Sequence, residues 1–401
     1  MLIPIPYATD RELRHFPIVT LFLVGLNCSL FLLSLMGGTL TLDYIVQNYG
    51  LRGDAPEIAT LFSSMLLHAS ALHLLVNVTY LWLFGCLVED VLGRVEYMLF
   101  YLGSGMAGGL LYVVVVQKVL PAVAATPLVT PEPAVGASGA VAGILGLFAI
   151  RFYRAKIKML LLVPIAIPAL PAIGFWVGIQ GACAVSSLST GVNTGCWAHL
   201  GGFAFGILSG CLMRVVPVAE EEYFFEDVER DLAENNVKSA LRRLHEKQGS
   251  SPDDPKVHCL LAKAYEKSGS PDVADMHARL SVELALEKGD LETAVANYLA
   301  VKGVLSVLAM EAQYRIACAL ESQRRTAEAA AAYRRVYHYY PEEPLAGTAL
   351  IRCVEMLRRR PEGAEEAAAL AREYLERYPE GEWRAQAERY ARSAPFRDGN
   401  G

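Results

Sequence analysis

PEPAVGASGAVAGILGLFAI, residues 131–150, opens as a proline-broken loop and closes as a run of small and apolar residues. Pro121, Pro127, Pro131 and Pro133 precede a segment without proline, so a helix can start only after them. Ser138 stands at that junction, between Gly136 and Gly139. The run that follows reads as a membrane segment. A hydroxyl there is costly unless it meets another polar group or water. The partner of Ser138 therefore has to be sought elsewhere in the chain.

The chain has 401 residues, 53% of them apolar, and a positive mean hydropathy, too apolar for an ordinary soluble protein. Charge divides it. Residues 1–217 hold 10 Lys/Arg and 9 Asp/Glu, which leaves 26 and 33 for residues 218–401. The first part is oily and nearly uncharged. The second is a mildly acidic soluble part large enough for its own core. Neither has the basic balance of a nucleic-acid binder. The eight cysteines form no C-x-x-C, and no His/Cys spacing suggests zinc, so neither metal nor cofactor is expected. The first apolar stretch is too long for a cleavable signal.

A bilayer core takes about 20 apolar residues per helix. Six spans are expected, at 16–36, 59–87, 97–117, 138–150, 159–182 and 197–213. With the N-terminus inside, the inner loops collect Arg11, Arg14, Arg94, Arg151, Arg154, Lys156, Lys158 and Arg214, against Arg52 and Lys118 outside. That bias puts both termini in the cytoplasm. Glu89, Arg151 and Arg214 then mark the inner ends of spans two, four and six. At about 1.5 Å per residue, Ser138 lies about 20 Å above its marker and His199 about 22 Å. His73 and Asn77 come out at about 24 and 18 Å. Four polar side chains from three helices thus share one layer, in the outer half of a ~30 Å core. Ser138 and His199 suggest a nucleophile and its base. His73 and Asn77, at i and i+4, share a helix face and can both donate to an oxyanion, as can the free amides at the start of the Ser138 helix. No carboxylate reaches this layer, so the expected arrangement is a dyad. Gly202, Gly206 and Gly210 on span six, with Gly139, Gly143 and Gly146 on span four, form small-residue stripes that allow close helix approach. Gly136, on the other side of the serine, is expected to be a packing glycine as well. The α/β-hydrolase elbow G-x-S-x-G does not fit, because its fifth position is Ala140.

VGASGAVAGILG, HASALHLLVNVTYLWLFG and WAHLGGFAFG together resemble the three signature segments of rhomboid intramembrane serine proteases, over about residues 10–217. The resemblance implies Ser138 as nucleophile, His199 as general base, and His73 with Asn77 as oxyanion donors. It matches His68 to a histidine near the water-accessible cavity, and Glu89 and Gly93 to the structural end of the second span. It implies cleavage of transmembrane-helix substrates without a cofactor. A bacterial cytoplasmic membrane is the expected location, with the site opening outward. Two departures stand out. Ala142 occupies the position where many members carry an aromatic that stacks on the histidine, so the imidazole needs another brace. The loop 37–58 lacks a Trp-Arg pair found in some members.

Pro164, Pro168 and Pro171 suggest an irregular outer part of span five and a movable gate, capped by loop 184–196; a static kink is the other reading. Cys183 and Cys196 bracket that loop. They form a disulfide if that side is oxidising, and otherwise remain as two buried thiols, the commoner case.

Beyond a charged linker at 218–232, AEAAAAYRRVYHYYPEEP (327–344) returns as EEAAALAREYLERYPEGE (365–382), with a degenerate copy at 289–303. Ala-rich helices ending in Tyr-Pro resemble tetratricopeptide-type hairpins. The expectation is an all-α chain: a six-helix polytopic bundle, then an α-solenoid of about 10 helices over 233–394 that holds a cytoplasmic protein or peptide partner. His245, His258, His277 and His338 are expected to be solvated, and residues 395–401 to form a disordered tail. A catalytically silent, helix-binding membrane protein and a membrane-anchored scaffold are the alternative functions.

Overall fold

The computed structural model describes residues 5–36, 41–123, 132–160, 164–190 and 194–392. The chain divides into two compact units, 1–222 and 223–401, each described by itself.

The first unit is an apolar bundle. Five helices among the described residues are long and apolar enough to cross a membrane: α1 (Ile18–Met36), α4 (Ala71–Leu92), α5 (Arg94–Val123), α7 (Ala169–Thr190) and α8 (Gly195–Leu212). Two short helices, α2 (Leu42–Tyr49) and α3 (Ile58–Ser63), stand between α1 and α4. Leu33, Leu72, Leu99, Phe175 and Leu208 are each more than 60% exposed. That outward apolar surface suits lipid rather than water, and the chain is an integral membrane protein. The sixth apolar helix, α6 (Ser138–Arg151), has 14 residues. At about 1.5 Å per residue it is too short for a ~30 Å core. Its residues from Gly139 to Ala149 are all buried, and it packs chiefly on α8 and α5. A helix wrapped by protein on all sides need not match the bilayer thickness.

Two expected spans are corrected. Residues 59–70 do not belong to the second span: α3 ends at Ser63, a single 3₁₀ turn follows, and α4 starts at Ala71. Ser70 caps α4 by accepting from the His73 amide at 3.2 Å, the ordinary role of a serine at that position. The fifth span begins at Ala169, not 159. Residues ahead of it form β2 (Lys156–Leu160) and β3 (Pro164–Pro168), which with β1 (Ile5–Thr9) make an antiparallel sheet in the order β1-β2-β3. Thr9 pairs with Ile157 and Lys156 with Pro168. The Lys-Ile-Lys-Met alternation has the period of a strand, and prolines suit an edge strand such as β3. So the prolines sit at the start of span five, Pro164 and Pro168 in β3 and Pro171 in the first turn of α7, rather than in its outer part. The segment expected as a cap, 184–196, is helical through Thr190 and again from Gly195; residues 191–193 lie outside the described ones.

Glu89 and Asp90 anchor the N-terminal segment. The Glu89 carboxylate, buried at the end of α4, accepts from the Val19 and Thr20 amides and the Thr20 hydroxyl at 2.8–2.9 Å, capping α1. Asp90 accepts from the Arg14 and His15 amides. Gly93, with φ of 83°, turns the chain from α4 into α5, a conformation that suits glycine. At the far end of α6, buried Arg151 is paired with Glu222, which also bonds Arg14.

The stretch expected as a linker, 218–232, lies inside a helix, α9 (Val215–Ala233). Nine further helices follow among the described residues, from α10 (Val237–Ser250) to α18 (Arg384–Arg392). Each packs on the next, around a core that includes Leu320, Tyr333, Leu350 and Tyr374. The unit is therefore a sequential stack of helices. The expectation for its histidines is corrected in part. His245 and His338 are exposed, but His258 on α11 (Pro255–Lys267) and His277 on α12 (Pro271–Glu287) are buried, Nδ1 to Nδ1 at 2.9 Å. Both stand on inward faces of paired helices, where neighbouring apolar positions carry them into the core. The expected tail 395–401 lies outside the described residues.

Candidate active site

Ser138 is the first residue of α6, so its amide and those that follow have no partner within the helix. The segment ahead of it is fastened at three points. Leu51 and Ala134 exchange backbone hydrogen bonds at 2.9 Å, the Gly136 amide donates to the Ser64 carbonyl at 2.8 Å, and the Tyr112 hydroxyl donates to the Glu132 carbonyl at 3.1 Å. Gly136 has φ of 125°, a region closed to most side chains, and the His73 ring lies directly over its Cα, where a Cβ would collide. The turn before the serine therefore requires glycine twice over.

His199 lies on α8, one turn above a very close backbone crossing of α8 with α6. A Cβ at Gly202 would overlap the Gly139 carbonyl, and one at Gly206 the Gly143 carbonyl. With nothing but hydrogen on these faces, α6 and α8 meet backbone to backbone. That approach brings the Ser138 hydroxyl to 2.8 Å from His199 Nε2, across 61 residues of sequence. Both side chains are half-buried. They border a cavity of about 190 Å³, lined also by His73, Gly136, Met65, Leu51 and Ala198. At about 30 Å³ per water, such a space admits several solvent molecules or part of a peptide.

The other expected residues fall around this pair. His73 lines the cavity. His68 is buried, its ring 5.3 Å from that of His73 and edge-on to it. Asn77 is buried one turn along α4 and donates from Nδ2 to the His73 carbonyl at 2.9 Å; it does not border the cavity. Ala142 is fully buried inside the bundle.

One residue at the site was missed by the sequence reading. Gln180 of α7 has its Oε1 at 2.8 Å from His199 Nδ1. Trp176, one turn earlier, has its ring 6.1 Å from the imidazole and 6.1 Å from Phe203. Gln180 is the one amide side chain in an otherwise small and apolar helix, ALPAIGFWVGIQGACAVSSLST. A polar side chain in such a place is itself a signal. Cys183 and Cys196 join α7 to α8 as a disulfide, with Cα atoms 6.2 Å apart, so the bridged alternative holds.

The arrangement can carry acyl transfer. A hydroxyl lies within hydrogen-bond distance of one imidazole nitrogen, an amide oxygen faces the other, and free helix amides flank the nucleophile.

Residues 55–215 match the rhomboid domain family. Rhomboid protein 1, mitochondrial, of Saccharomyces cerevisiae is 32% identical over 171 residues, 42% of each chain. Presenilin-associated rhomboid-like protein A, mitochondrial, of Danio rerio is 28% identical over 158 residues, 38% of this chain and 36% of that one. A Bacillus subtilis (strain 168) protein described as a candidate rhomboid protease, YdcA, is 32% identical over 140 residues, 34% of this chain and 63% of its own. The chain spans less than two thirds of the length of each of these relatives.

Proposed function

We propose that this chain, which carries a rhomboid domain at residues 55–215, is an intramembrane serine protease that hydrolyses peptide bonds in or near the transmembrane helices of other membrane proteins. The observation that carries the reading is the 2.8 Å contact between Ser138 Oγ and His199 Nε2. His199 takes the hydroxyl proton as Ser138 attacks a backbone carbonyl, and then returns it to the leaving amine. The Ser138 amide, His73 and Asn77 are the proposed oxyanion donors. His73 is the nearer of the two side chains to the cavity. Asn77 has two amide hydrogens, of which one is used on the His73 carbonyl and the second is assigned to the oxyanion. Water then hydrolyses the acyl-enzyme. A substrate helix has to unwind locally to offer its carbonyl, so helix-breaking residues near the scissile bond favour cleavage.

The proposed location is a bacterial cytoplasmic membrane, with both termini on the cytoplasmic side and the cavity opening opposite; the distribution of Arg and Lys supports this orientation. The helical stack of the second unit is proposed to hold a protein or peptide partner.

A fluorophosphonate probe tests the assignment. The detergent-solubilised wild-type chain is expected to label, and Ser138→Ala and His199→Ala are expected not to. A folded wild-type chain that does not label would favour a rhomboid-like protein that binds transmembrane helices without cutting them.

A further inference from the structure

We infer that Gln180 is a positioning residue for His199: its carbonyl oxygen selects the imidazole tautomer that leaves Nε2 free to take the Ser138 proton. The inference rests on the protease reading above.

The chemistry follows from two contacts made by one ring. A neutral imidazole carries one N–H and one lone pair, and the partner of each nitrogen decides which is which. Gln180 Oε1 faces Nδ1 at 2.8 Å. A carbonyl oxygen can only accept, so the proton sits on Nδ1. Nε2, 2.8 Å from Ser138 Oγ, then has its lone pair toward the hydroxyl, as a general base requires. When Nε2 takes the proton, the ring becomes a cation, and the amide dipole already points its negative end at Nδ1. In three-residue hydrolytic sites a carboxylate does this. A neutral amide supplies the same acceptor without an ionised group in an apolar helix. It also answers the brace left open by Ala142.

The surroundings hold Gln180 in place. Trp176, Gln180, Cys183 and Ser187 follow one another at three or four residues along α7, so they share a face. Each meets α8: Trp176 the ring of Phe203, Gln180 that of His199, Cys183 the sulfur of Cys196 through the disulfide, and Ser187 Oγ the indole N–H of Trp197 at 3.0 Å. The covalent bridge is one turn from Gln180 on α7 and one turn from His199 on α8. The brace therefore depends on α7 staying docked against α8.

The full-length chain in detergent tests this with the same probe. Gln180→Met keeps the length and apolar packing but removes the acceptor. It should lower the maximal labelling rate about tenfold to a hundredfold, less than the ~10²–10⁴-fold of a general base itself, with the probe's half-saturating concentration unchanged. Gln180→Glu, which keeps an acceptor oxygen at the same reach, should recover most of that rate. With ¹⁵N-labelled histidine, the His199 resonance, identified by its absence from His199→Ala, should report the Nδ1–H form in wild type and a mixture in Gln180→Met. If wild type labels at Ser138 while Gln180→Met labels within twofold, or if wild-type His199 carries its proton on Nε2, the inference is overturned and the protease reading stands. If folded wild type does not label at all, both fall.

Discussion

At the scale of single residues, glycine decides more than any functional group. Ser138 and His199 can meet only because Gly139 and Gly202 leave α6 and α8 nothing but backbone between them. Gly202→Ala places a methyl group on the Gly139 carbonyl, an atom with no freedom to move aside. Overpacking of this kind costs about 1–3 kcal/mol. The expected outcome is a lower unfolding temperature together with slower fluorophosphonate labelling, because the helices separate at the level of the dyad. Gly174→Ala is the control: a Cβ there meets nothing within 4 Å, so both quantities should stay near wild type. The stripes on spans four and six were legible in the sequence, because three- and four-residue spacing needs no tertiary information. Gln180 was not picked out, although its isolation in an apolar helix offered a signal. Its role depends on which neighbour faces it, and that is set by packing.

At the scale of elements, the fifth span behaves differently from the sequence expectation. Its prolines do not soften the helix beside the site; they belong to an edge strand and to the first turn of α7. The Lys156–Met159 alternation has the period of a strand, but the sequence reading used Lys156 and Lys158 only as inner-loop charges. α7 is instead fastened to α8 beside the site by the Cys183–Cys196 bridge. With the cysteines 13 positions apart in sequence, loop closure alone gives a stabilisation of about 3 kcal/mol. Reduction of the bridge, or the double change Cys183→Ala/Cys196→Ala, should lower the unfolding temperature of the membrane unit in detergent. It should also slow labelling by loosening the Gln180–His199 contact. Labelling that quickens on reduction would instead mark the bridge as a lock on access to the cavity.

At the scale of the whole molecule, a lipid-facing unit and a water-facing helical stack are joined in one chain, and acid should affect them differently. In the stack, the Nδ1 atoms of His258 and His277 face each other at 2.9 Å, while His258 Nε2 meets the Pro252 carbonyl. Tyr265 stacks on His277 and receives a hydrogen bond from, or gives one to, His245 at 2.9 Å. Burial first, and then His258 and His245, push the His277 pKa down to about 4. Folding therefore favours the neutral ring, whereas the unfolded chain protonates it near pH 6.5. The contribution to stability is full above about pH 6.5 and is lost as the pH falls toward about 4. Hydrogen exchange on the full chain should show α11 and α12 losing protection across that window, and His277→Gln should flatten the dependence. An unchanged slope in that variant would place the sensitivity elsewhere. Burial of these two histidines was not picked out in the sequence: Val257, Cys259, Met276 and Ala278 beside them are apolar, but only the pairing of α11 with α12 fixes which side of each helix faces inward.

The sequence by itself determined the division into an apolar and a charged part, the rough places of the apolar helices though not all their bounds, and the serine, histidine and glycine positions of the proposed site. All of these are properties of composition and of spacing along one helix, where 3.6 residues per turn convert number into direction. Only the tertiary structure decided that Gln180 faces the imidazole, that Cys183 reaches Cys196, that Lys156–Leu160 pairs with the N-terminal strand, and that His258 meets His277. Each of these joins groups on different elements. Contacts of that kind are set by how closely two backbones can approach, which a pattern along a single element does not contain.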